Sequence, residues 1–242
     1  AHATAPTFDP NNTKSVSPSL MRNPSVQDVY EPGSTGKIMT LAAALEEKKI
    51  TPETVFSVPY SLKRGGDTFH DHERHPVQRL TTAGILAVSS NTGTIKIGET
   101  LSNDKLHDYL TKFGIGVSTG SGLPGESKGL FRPVSDWSGT TAPTVAFGQG
   151  YALTAMQATS IFATIANDGV RVSPTVIAGT SDSSGKFTVA STRKSERVVS
   201  AKTAQQVRLM MESVVSGNGT APSAAIPGYR VAGKTGTAER YD

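Results

Sequence analysis

The chain has 242 residues, of which 24 are Lys or Arg and 20 are Asp or Glu, giving a formal net charge of +4. This length can bury a sizeable core in one large or two small domains, and no apolar run is long enough to span a membrane. Basic residues are scattered rather than gathered into a stripe with aromatic residues, which argues against nucleic acid as a partner.

A helix is predicted over residues 34–48, because apolar residues follow the i, i+3, i+4, i+7 pattern and Pro32-Gly33 interrupts the chain just before it. Ser34 falls in the first turn, where backbone N–H groups lack intrahelical partners, and Lys37 lies one turn later on the same face. Such a serine has an amine to take its proton and a positive helix end to stabilise an anion, which favours nucleophilic attack on a carbonyl. Taken alone, S-x-x-K is more often a helix-capping serine followed by a solvated lysine.

Residues 56–78 are polar and contain glycine, and we interpret them as a loop. They include His70-Asp71-His72-Glu73-Arg74-His75, whose alternate histidines are typical of a metal-binding cluster. Metal sites need fixed support around their ligands, so a hydrated polar loop is the preferred interpretation and no metal is expected.

Residues 80–113 are predicted to be helical in two or three pieces, with Thr81 and Thr82 as capping candidates. Ser89-Ser90-Asn91 falls at a break between two pieces, where side chains can point into a cleft. The last piece has an apolar face and ends at Gly114.

The following segments are irregular, helical and extended in turn. Residues 116–144 are predicted to be irregular, 154–167 and 200–216 helical, and 170–189 short strands around a turn at 182–185. Thr154 is the expected cap of the first of these helices, with Ile161, Phe162 and Ile165 facing inward. A mainly helical middle between sheet-forming segments indicates an α/β layer, a helical subdomain and a cleft between them.

Tyr229-Arg230-Val231-Ala232 is predicted to be a short strand leading into Lys234-Thr235-Gly236-Thr237. Residues 228–235 also fit the phosphate-loop pattern G-x-x-x-x-G-K-[ST]. A phosphate loop follows a strand and opens a helix, whereas here the variable positions form the strand itself, so this interpretation is rejected.

The order S-x-x-K, S-x-N and K-T-G is the signature of serine penicillin-recognising enzymes. Ser34 needs a base, and Lys37 can serve only when neutral, which requires its pKa to fall from about 10.4 to about 7 at about 4–5 kcal/mol. Burial and a second cation, for which Lys234 is the candidate, can supply this shift. Ser89 can pass a proton to the leaving amine, and Asn91 offers a donor and an acceptor to a peptide-like substrate.

The K-T-G segment offers groups for a substrate carboxylate. Thr235 and Thr237 can donate hydrogen bonds to it while Lys234 supplies positive charge, and Gly236 lets a substrate backbone approach closely. The backbone N–H groups of Ser34 and Thr237 are expected to form an oxyanion hole.

Longer stretches extend the pattern over nearly the whole chain. They are Ala5-Pro6-Thr7-Phe8-Asp9-Pro10-Asn11, Tyr30-Glu31-Pro32-Gly33-Ser34-Thr35-Gly36-Lys37, Phe113-Gly114-Ile115-Gly116 with Leu123-Pro124-Gly125-Glu126, Phe147-Gly148-Gln149-Gly150 with Thr154 and Gln157, and Gly228-Tyr229 before Gly233-Lys234-Thr235-Gly236-Thr237-Ala238. Together they resemble the transpeptidase domain of class B penicillin-binding proteins. The resemblance implies an α/β (α+β) fold with an antiparallel sheet flanked by helices, a mainly helical subdomain at about residues 50–170 inserted within the sheet-forming part, and the active site in the cleft between them.

The resemblance also implies a serine D,D-transpeptidase. Ser34 would attack the penultimate D-Ala carbonyl of a peptidoglycan stem peptide ending in D-Ala-D-Ala, and an amine of a neighbouring stem would accept the acyl group. β-Lactam antibiotics would acylate the same serine, and no metal or organic cofactor is required. The implied setting is the extracytoplasmic face of the bacterial cell membrane, among cell-wall synthesis or division proteins, with the membrane anchor outside this chain.

Two features depart from the family pattern. Gly36 stands where a larger residue is usual, and we expect looser packing under the first turn. The chain ends at Asp242, soon after the K-T-G segment, where the family fold continues with two strands and a helix. We therefore expect residues 1–242 to be an incomplete transpeptidase domain that lacks C-terminal strands of the sheet and does not fold stably alone.

Other functions stay open from the residues alone. A β-lactamase or D,D-carboxypeptidase would pass the acyl group to water. No carboxylate stands in the setting expected for activating that water, because Glu126 belongs to the Leu-Pro-Gly-Glu element of the resemblance. A non-catalytic β-lactam or muropeptide sensor would bind without turnover, but the presence of both Ser34 and Lys37 argues against such a degenerate site.

Overall fold

The computed structural model describes residues 3–190 and 194–237, so Ala238 and Asp242 lie outside the described residues. The α-helices are α1 (Pro24–Gln27), α2 (Lys37–Glu46), α3 (Thr82–Ala87), α4 (Asn91–Gly98), α5 (Asn103–Phe113), α6 (Thr141–Ala146), α7 (Ala155–Ala166) and α8 (Ala201–Val215). Short 3₁₀ helices span Pro18–Met21, Gly33–Gly36, Val134–Asp136 and Pro222–Ala224. The strands are β1 (Val29–Tyr30), β2 (Val55–Val58), β3 (Ser61–Arg64), β4 (Asp67–His70), β5 (Gln78–Thr81), β6 (Leu153–Thr154), β7 (Val170–Val172), β8 (Gly179–Ser181), β9 (Phe187–Val189) and β10 (Ser195–Arg197).

Helix α2 lies at the centre of the core, with residues 37–45 all buried. Three successive alanines, at positions 42–44, keep this helix narrow where α4, α5 and α8 pack against it. Burial of larger side chains such as Ile38 and Leu41 stabilises the fold by about 1.5–3 kcal/mol each. This packing fixes the helix whose first turns carry Ser34 and Lys37.

The strands form five antiparallel pairs, which are β1–β6, β2–β5, β3–β4, β7–β10 and β8–β9. Helices and antiparallel strands confirm the predicted α+β class. The resemblance implied one sheet flanked by helices, whereas the described residues contain five separate two-stranded ladders. The pairing of β1 with β6 is the one that bears on the site, because it joins the segments before Ser34 and after Gly148.

The predicted loop at residues 56–78 is wrong, because it holds most of β2, all of β3 and β4, and the start of β5. Inward and exposed side chains alternate along β2 and β3, as in half-buried strands. Polar residues on the outward face concealed this alternation. Gly65 and Gly66 both have positive φ and close the β3–β4 hairpin, as a glycine pair does in a primed turn.

The prediction for residues 80–113 is confirmed by α3, α4 and α5. Their N-caps are Thr81, Ser90 and Ser102, each of which accepts a hydrogen bond from the backbone N–H three residues later. Gly114 ends α5 in the left-handed conformation, with φ at 111°. None of the helices in the described residues combines the length and apolar character that a membrane crossing requires.

The later helices and strands also follow the predictions. Thr154 caps α7 and forms a capping box with Gln157, and Ile161 and Ile165 are buried beneath it. Helix α8 buries its predicted apolar face, which includes Val207, Met210, Met211 and Val214. Strands β7, β8 and β9 occupy the region 170–189.

The predicted strand at residues 229–232 is wrong. Residues 230–237 form neither helix nor strand, and no strand among the described residues pairs with them. Without a neighbour to satisfy its backbone groups, this segment relies on other contacts. The N–H of Gly233 donates to the Met211 carbonyl at 3.3 Å, and Arg230 forms an ion pair with Glu212 at 2.8 Å. The phosphate-loop interpretation remains rejected, but for a different reason. A phosphate loop opens a helix, and no helix begins within the described part of this segment.

Candidate active site

Ser34 lies in the 3₁₀ helix Gly33–Gly36, which runs directly into α2. Pro32 and Gly36 occupy the N-cap positions of these two helices, so the helix-capping interpretation of Ser34 is wrong. No other described residue hydrogen-bonds the Ser34 hydroxyl, although the N–H of Lys37 donates to the Ser34 carbonyl. The hydroxyl is therefore free to meet a substrate.

The turn that carries Ser34 is held by close backbone contacts. Gly33 has a φ of +54°, and its N–H donates to the Gly148 carbonyl at 2.9 Å. A Cβ on Gly33 would overlap the carbonyl oxygen of Thr237, and one on Gly148 would overlap that of Gly33. Glycine at these two positions lets three segments meet at the nucleophile.

Lys37 is fully buried, so the solvated-lysine interpretation is wrong. Its Nζ donates to the Ser89 carbonyl at 2.5 Å, to Asn91 Oδ1 at 2.7 Å and to Ser89 Oγ at 3.3 Å. The first two motifs are thus joined through one ammonium group. In the described residues Lys37 does not hydrogen-bond the Ser34 hydroxyl, and hydrogen bonds between catalytic groups are often long before a substrate is bound.

Lys234 brings the third motif to the same point. Its Nζ donates to Ser89 Oγ at 2.8 Å and to the Thr235 Oγ1 and carbonyl at 3.0 and 3.1 Å. Thr235 Oγ1 also lies 2.8 Å from Thr220 Oγ1. Ser89 Oγ therefore sits between the two lysine ammonium groups, a position suited to relaying a proton.

Ser89 has an unusual backbone conformation, with φ at +60°. A non-glycine residue in this region carries strain of about 1–3 kcal/mol, and such strain concentrates at functional sites. The conformation directs both the carbonyl and the hydroxyl of Ser89 to Lys37.

Burial and the charge of Lys234 lower the pKa of Lys37, the Asp71 carboxylate raises it, and the net result is a pKa of about 7. Burial alone lowers the pKa of Lys234 to about 8. Near neutral pH Lys37 can therefore be present in its neutral form. These are the two causes that sequence reasoning invoked for a lysine base.

A cavity of about 640 Å³ opens above these residues. Its lining includes Ser34, Ser89, Asn91, Thr235, Gly236 and Thr237. Lys37 and Lys234 lie behind this lining, where they act through Ser89, Asn91 and Thr235. All eight predicted site residues are thus gathered at one cavity, six on its surface and two beneath it.

Gly236 has a structural reason to be glycine. A Cβ there would come within 2.7 Å of Thr35 Cγ2 and 3.3 Å of the Pro32 carbonyl oxygen. Gly236 was expected to allow close approach of a substrate, whereas the crowding observed is with the turn that carries Ser34. Thr237 consequently lies against Gly33, and both Ser34 and Thr237 line the same cavity.

Asp71 is the site-supporting residue that sequence reasoning missed. Its Oδ1 accepts from the Thr92 N–H at 2.9 Å, and its Oδ2 accepts from Ser90 Oγ at 2.6 Å. Asn91 Nδ2 donates to the His70 carbonyl at 2.9 Å. The segment 70–75 therefore braces the S-x-N motif at the start of α4. The N-terminus of a helix favours a nearby anion, but no local spacing in the sequence connects Asp71 with the start of α4.

The hydrated-loop interpretation holds for most of residues 70–75, since His72, Glu73 and Arg74 are exposed and residues 71–77 form neither helix nor strand, whereas Asp71 and His75 are partly buried. His75 Nε2 lies 3.0 Å from Asp71 Oδ2 and its Nδ1 lies 2.7 Å from the Pro76 carbonyl oxygen, and these two acceptors raise the pKa of His75. His70 and His75 both contact the ring of Tyr60. Within residues 3–190 and 194–237, no three His, Asp or Glu side chains are placed to hold a metal ion.

Glu126 is engaged away from the cavity. Its carboxylate accepts from the N–H of Thr119 at 2.6 Å, from the Thr119 hydroxyl and from Ser121 Oγ at 3.2 Å. It does not belong to the cavity lining. This placement gives no support to Glu126 as an activator of water at Ser34.

Comparison with known proteins identifies the family of this chain. The family profile described as the penicillin binding protein transpeptidase domain matches residues 1–242. The chain belongs to the penicillin-binding protein transpeptidase domain family. Its site residues should therefore be judged against the chemistry of that family.

Curated relatives of this transpeptidase domain are much longer than the chain. It is 42% identical to penicillin-binding protein PbpB of Mycobacterium tuberculosis over 98% of the chain and 36% of that protein. It is 34% identical to peptidoglycan D,D-transpeptidase FtsI of Escherichia coli over 99% of the chain and 39% of that protein. The chain spans less than two fifths of the length of these two relatives.

Solved structures confirm the fold of the transpeptidase domain. Apo penicillin binding protein 3 from Mycobacterium tuberculosis matches with a TM-score of 0.88 and 44% identity, over 91% of this chain and 51% of that one. The transpeptidase domain of Burkholderia pseudomallei penicillin-binding protein 3 matches with a TM-score of 0.81 and 33% identity, over 91% and 64%.

Proposed function

We propose that this domain is a serine D,D-transpeptidase that cross-links peptidoglycan stem peptides through an acyl-enzyme on Ser34. The observation that carries the proposal is the hydrogen-bonded chain Lys37–Ser89–Lys234 beneath the free Ser34 hydroxyl. Neutral Lys37 takes the Ser34 proton as Oγ attacks the penultimate D-Ala carbonyl. The N–H groups of Ser34 and Thr237 stabilise the oxyanion.

Collapse of the tetrahedral intermediate breaks the peptide bond. The proton held by Lys37 passes through Ser89 Oγ to the nitrogen of the leaving D-Ala. An amine from a second stem peptide then attacks the Ser34 ester and gives up a proton through Ser89 to Lys37. Lys37 delivers a proton to Ser34 Oγ as the ester bond breaks, which leaves the new peptide bond, free Ser34 and neutral Lys37. Thr235, Thr237 and Lys234 hold the terminal carboxylate, and Asn91 and Gly236 meet the substrate backbone.

β-Lactams are the proposed inhibitors, since their ring carbonyl meets the same nucleophile and leaves an ester on Ser34. Structures of the related penicillin binding protein 3 of Mycobacterium tuberculosis are described as complexes with aztreonam and with ampicillin. We extend the proposal to location, at the outer face of a bacterial membrane among cell-wall synthesis or division proteins. The activity of FtsI, named as a peptidoglycan D,D-transpeptidase, supports this setting.

The test is covalent labelling. Incubation with benzylpenicillin followed by digestion and mass spectrometry should place one adduct on Ser34. Ser34→Ala should abolish the adduct, and Lys37→Ala should slow its formation by at least about 100-fold. An adduct on another residue, or none on folded protein, would refute the proposal. An adduct lost to water within seconds would favour the β-lactamase or carboxypeptidase alternative.

A further inference from the structure

Gly36, inside the nucleophile turn, is covered by the phenol of Tyr151. A Cβ on Gly36 would overlap the Tyr151 hydroxyl oxygen and come within 2.9 Å of Gly148 Cα. The sequence analysis expected looser packing here, and that expectation is wrong. The hydroxyl of Tyr151 occupies the space that a side chain at position 36 would fill.

Tyr151 is held rigidly from several sides. Its side chain is only 3% exposed, and its ring meets that of Phe131 edge to face with centroids 5.7 Å apart. The next residue, Ala152, exchanges backbone hydrogen bonds with Leu130 at 2.8 and 2.9 Å. Strand β6 follows at once and pairs with β1, just upstream of Ser34. The ring therefore has little freedom to move away from Gly36.

The Tyr151 hydroxyl makes no hydrogen bond with any described residue, although it is fully buried. Burial and the charge of Glu31 raise the pKa of this hydroxyl, so it stays neutral. A buried hydroxyl without a partner destabilises the folded state, and a phenylalanine would avoid this penalty. Unpaired polar groups of this kind call for an explanation, and this one touches the turn that carries the nucleophile.

We propose that Tyr151 is a positioning residue for Ser34, whose phenol oxygen acts as a stop that keeps the Gly33–Gly36 turn in register with Lys37 and Ser89. This inference rests on the proposed acylation of Ser34. The same turn is also approached closely by Gly236, next to Thr35, and by Thr237, next to Gly33. Removing the oxygen leaves a gap under Gly36 into which the turn relaxes, and a displacement of about 1 Å at a reacting atom can slow a reaction about 100-fold.

The decisive variant is Tyr151→Phe, with Tyr109→Phe as the matched control. Tyr109 is 6% exposed, and its hydroxyl donates to Glu47 Oε1 at 2.8 Å. Tyr151→Phe should keep or raise the melting temperature and slow the acylation step by about 5–20-fold, with no change in the apparent dissociation constant for a slowly reacting β-lactam. Tyr109→Phe should lower the melting temperature and acylate at the wild-type rate.

The contact itself is tested by adding volume at position 36. Gly36→Ala should acylate at least about 100-fold more slowly than wild type, because its Cβ pushes against the phenol oxygen. Gly36→Ala/Tyr151→Phe should regain about tenfold over Gly36→Ala, since the methyl group fills the space of the missing oxygen. The contact with Gly148 Cα limits this recovery.

The outcomes separate this inference from the proposed function. Wild-type protein that is never acylated would refute the transpeptidase proposal. Acylated wild type with Tyr151→Phe reacting at the same rate would overturn the positioning role alone. So would equal slowing by Tyr151→Phe and Tyr109→Phe, or a double variant no faster than Gly36→Ala.

Discussion

At the scale of single residues, the proposed base Lys37 is influenced by two charges of opposite sign. Lys234 lowers its pKa and Asp71 raises it, in addition to the larger effect of burial. Because only neutral Lys37 can take the Ser34 proton, the acid limb of the acylation rate against pH reports the pKa of Lys37. Substitution of each charged neighbour should therefore move that limb in opposite directions.

Asp71→Asn should move the acid limb to lower pH. Loss of the carboxylate removes the influence that raises the pKa of Lys37, so more of the base is neutral in acid. The maximum rate should also fall, since Ser90 and Thr92 lose a charged acceptor. Second-order acylation rates from pH 5 to 9 measure both effects, and Asp67→Asn, at the edge of the β3–β4 hairpin, should match wild type. A limb displaced to higher pH would contradict the prediction.

Lys234→Ala should move the acid limb to higher pH. Without this cation the pKa of Lys37 rises, so the base is protonated over a wider range. Acylation by a β-lactam should be slower at every pH, because the positive charge proposed for the substrate carboxylate is lost. Acylation rates measured from pH 5 to 9 test this prediction. An acid limb at the wild-type position would show that Lys234 does not lower the pKa of Lys37.

The residues of the candidate site could largely be predicted from the sequence, whereas the residues that hold them in position could not. Ser34, Lys37, Ser89 and Lys234 stand in short motifs whose chemistry depends on residue type and local spacing. Asp71 was missed because its contact with Ser90 joins loop to helix across 19 positions, with no local pattern to mark it. Tyr151 was missed for a similar reason, since its role depends on the absence of a side chain at position 36.

At the scale of helices and strands, Gln157 ties α7 to the long connection that follows α5. Its Oε1 accepts from the Thr154 N–H at 2.8 Å, and its Nε2 donates to the carbonyls of Gly114, Val117 and Lys128 at 2.8–2.9 Å. The sequence predicted Thr154 as the cap of this helix, but it did not predict the contacts of Gln157 with the three carbonyls, which come from residues 29–43 positions away.

Gln157→Leu should destabilise the protein more than Thr154→Ala. Loss of the cap costs about 1 kcal/mol, whereas Gln157→Leu leaves buried carbonyls without a donor and should cost about 2–4 kcal/mol. Urea unfolding measures both, with exposed Thr159→Ala in the same helix as the control, expected within about 0.5 kcal/mol of wild type. Equal losses for the first two variants would contradict the prediction.

The errors in secondary structure share a physical cause. Strand formation at residues 55–81 depends on partners within the same stretch, where outward polar residues diluted the alternation. The segment at 229–232 has the residue types of a strand, but no strand in the described residues lies beside it. Helices were predicted better because their hydrogen bonds and caps are local.

At the scale of the whole molecule, Glu46 joins the helix of the nucleophile to a helix 154 residues further along the chain. Its Oε2 accepts from the N–H of Ser200 at 3.0 Å, from Ser200 Oγ at 2.8 Å and from Thr203 Oγ1. Burial would raise the pKa of Glu46, but these hydrogen bonds outweigh it and lower the pKa.

The ionised Glu46 should therefore stabilise the protein above the pKa of an unfolded glutamate, about 4.3, and lose this effect as pH falls through the lower folded value. Glu46→Gln should reduce the free energy of unfolding by about 1–2 kcal/mol at pH 7. The deficit should shrink at pH 3, where wild type has lost the same contribution. Urea titrations at the two pH values test this, and a deficit that grows in acid would count against it.

The predicted helical subdomain at residues 50–170 stays a prediction.

The β8–β9 hairpin pairs with no other strand in the described residues, and Phe187 and Val189 on it are exposed. Its turn contains Ser183, an exposed residue that does not line the cavity at Ser34. Since the chain has no cysteine, Ser183→Cys would create a unique thiol for a maleimide dye. A dye on that thiol and a fluorescent penicillin on Ser34 would form a donor–acceptor pair for energy transfer. The pair would report in real time how the distance between the hairpin and Ser34 changes while the protein carries its acyl group.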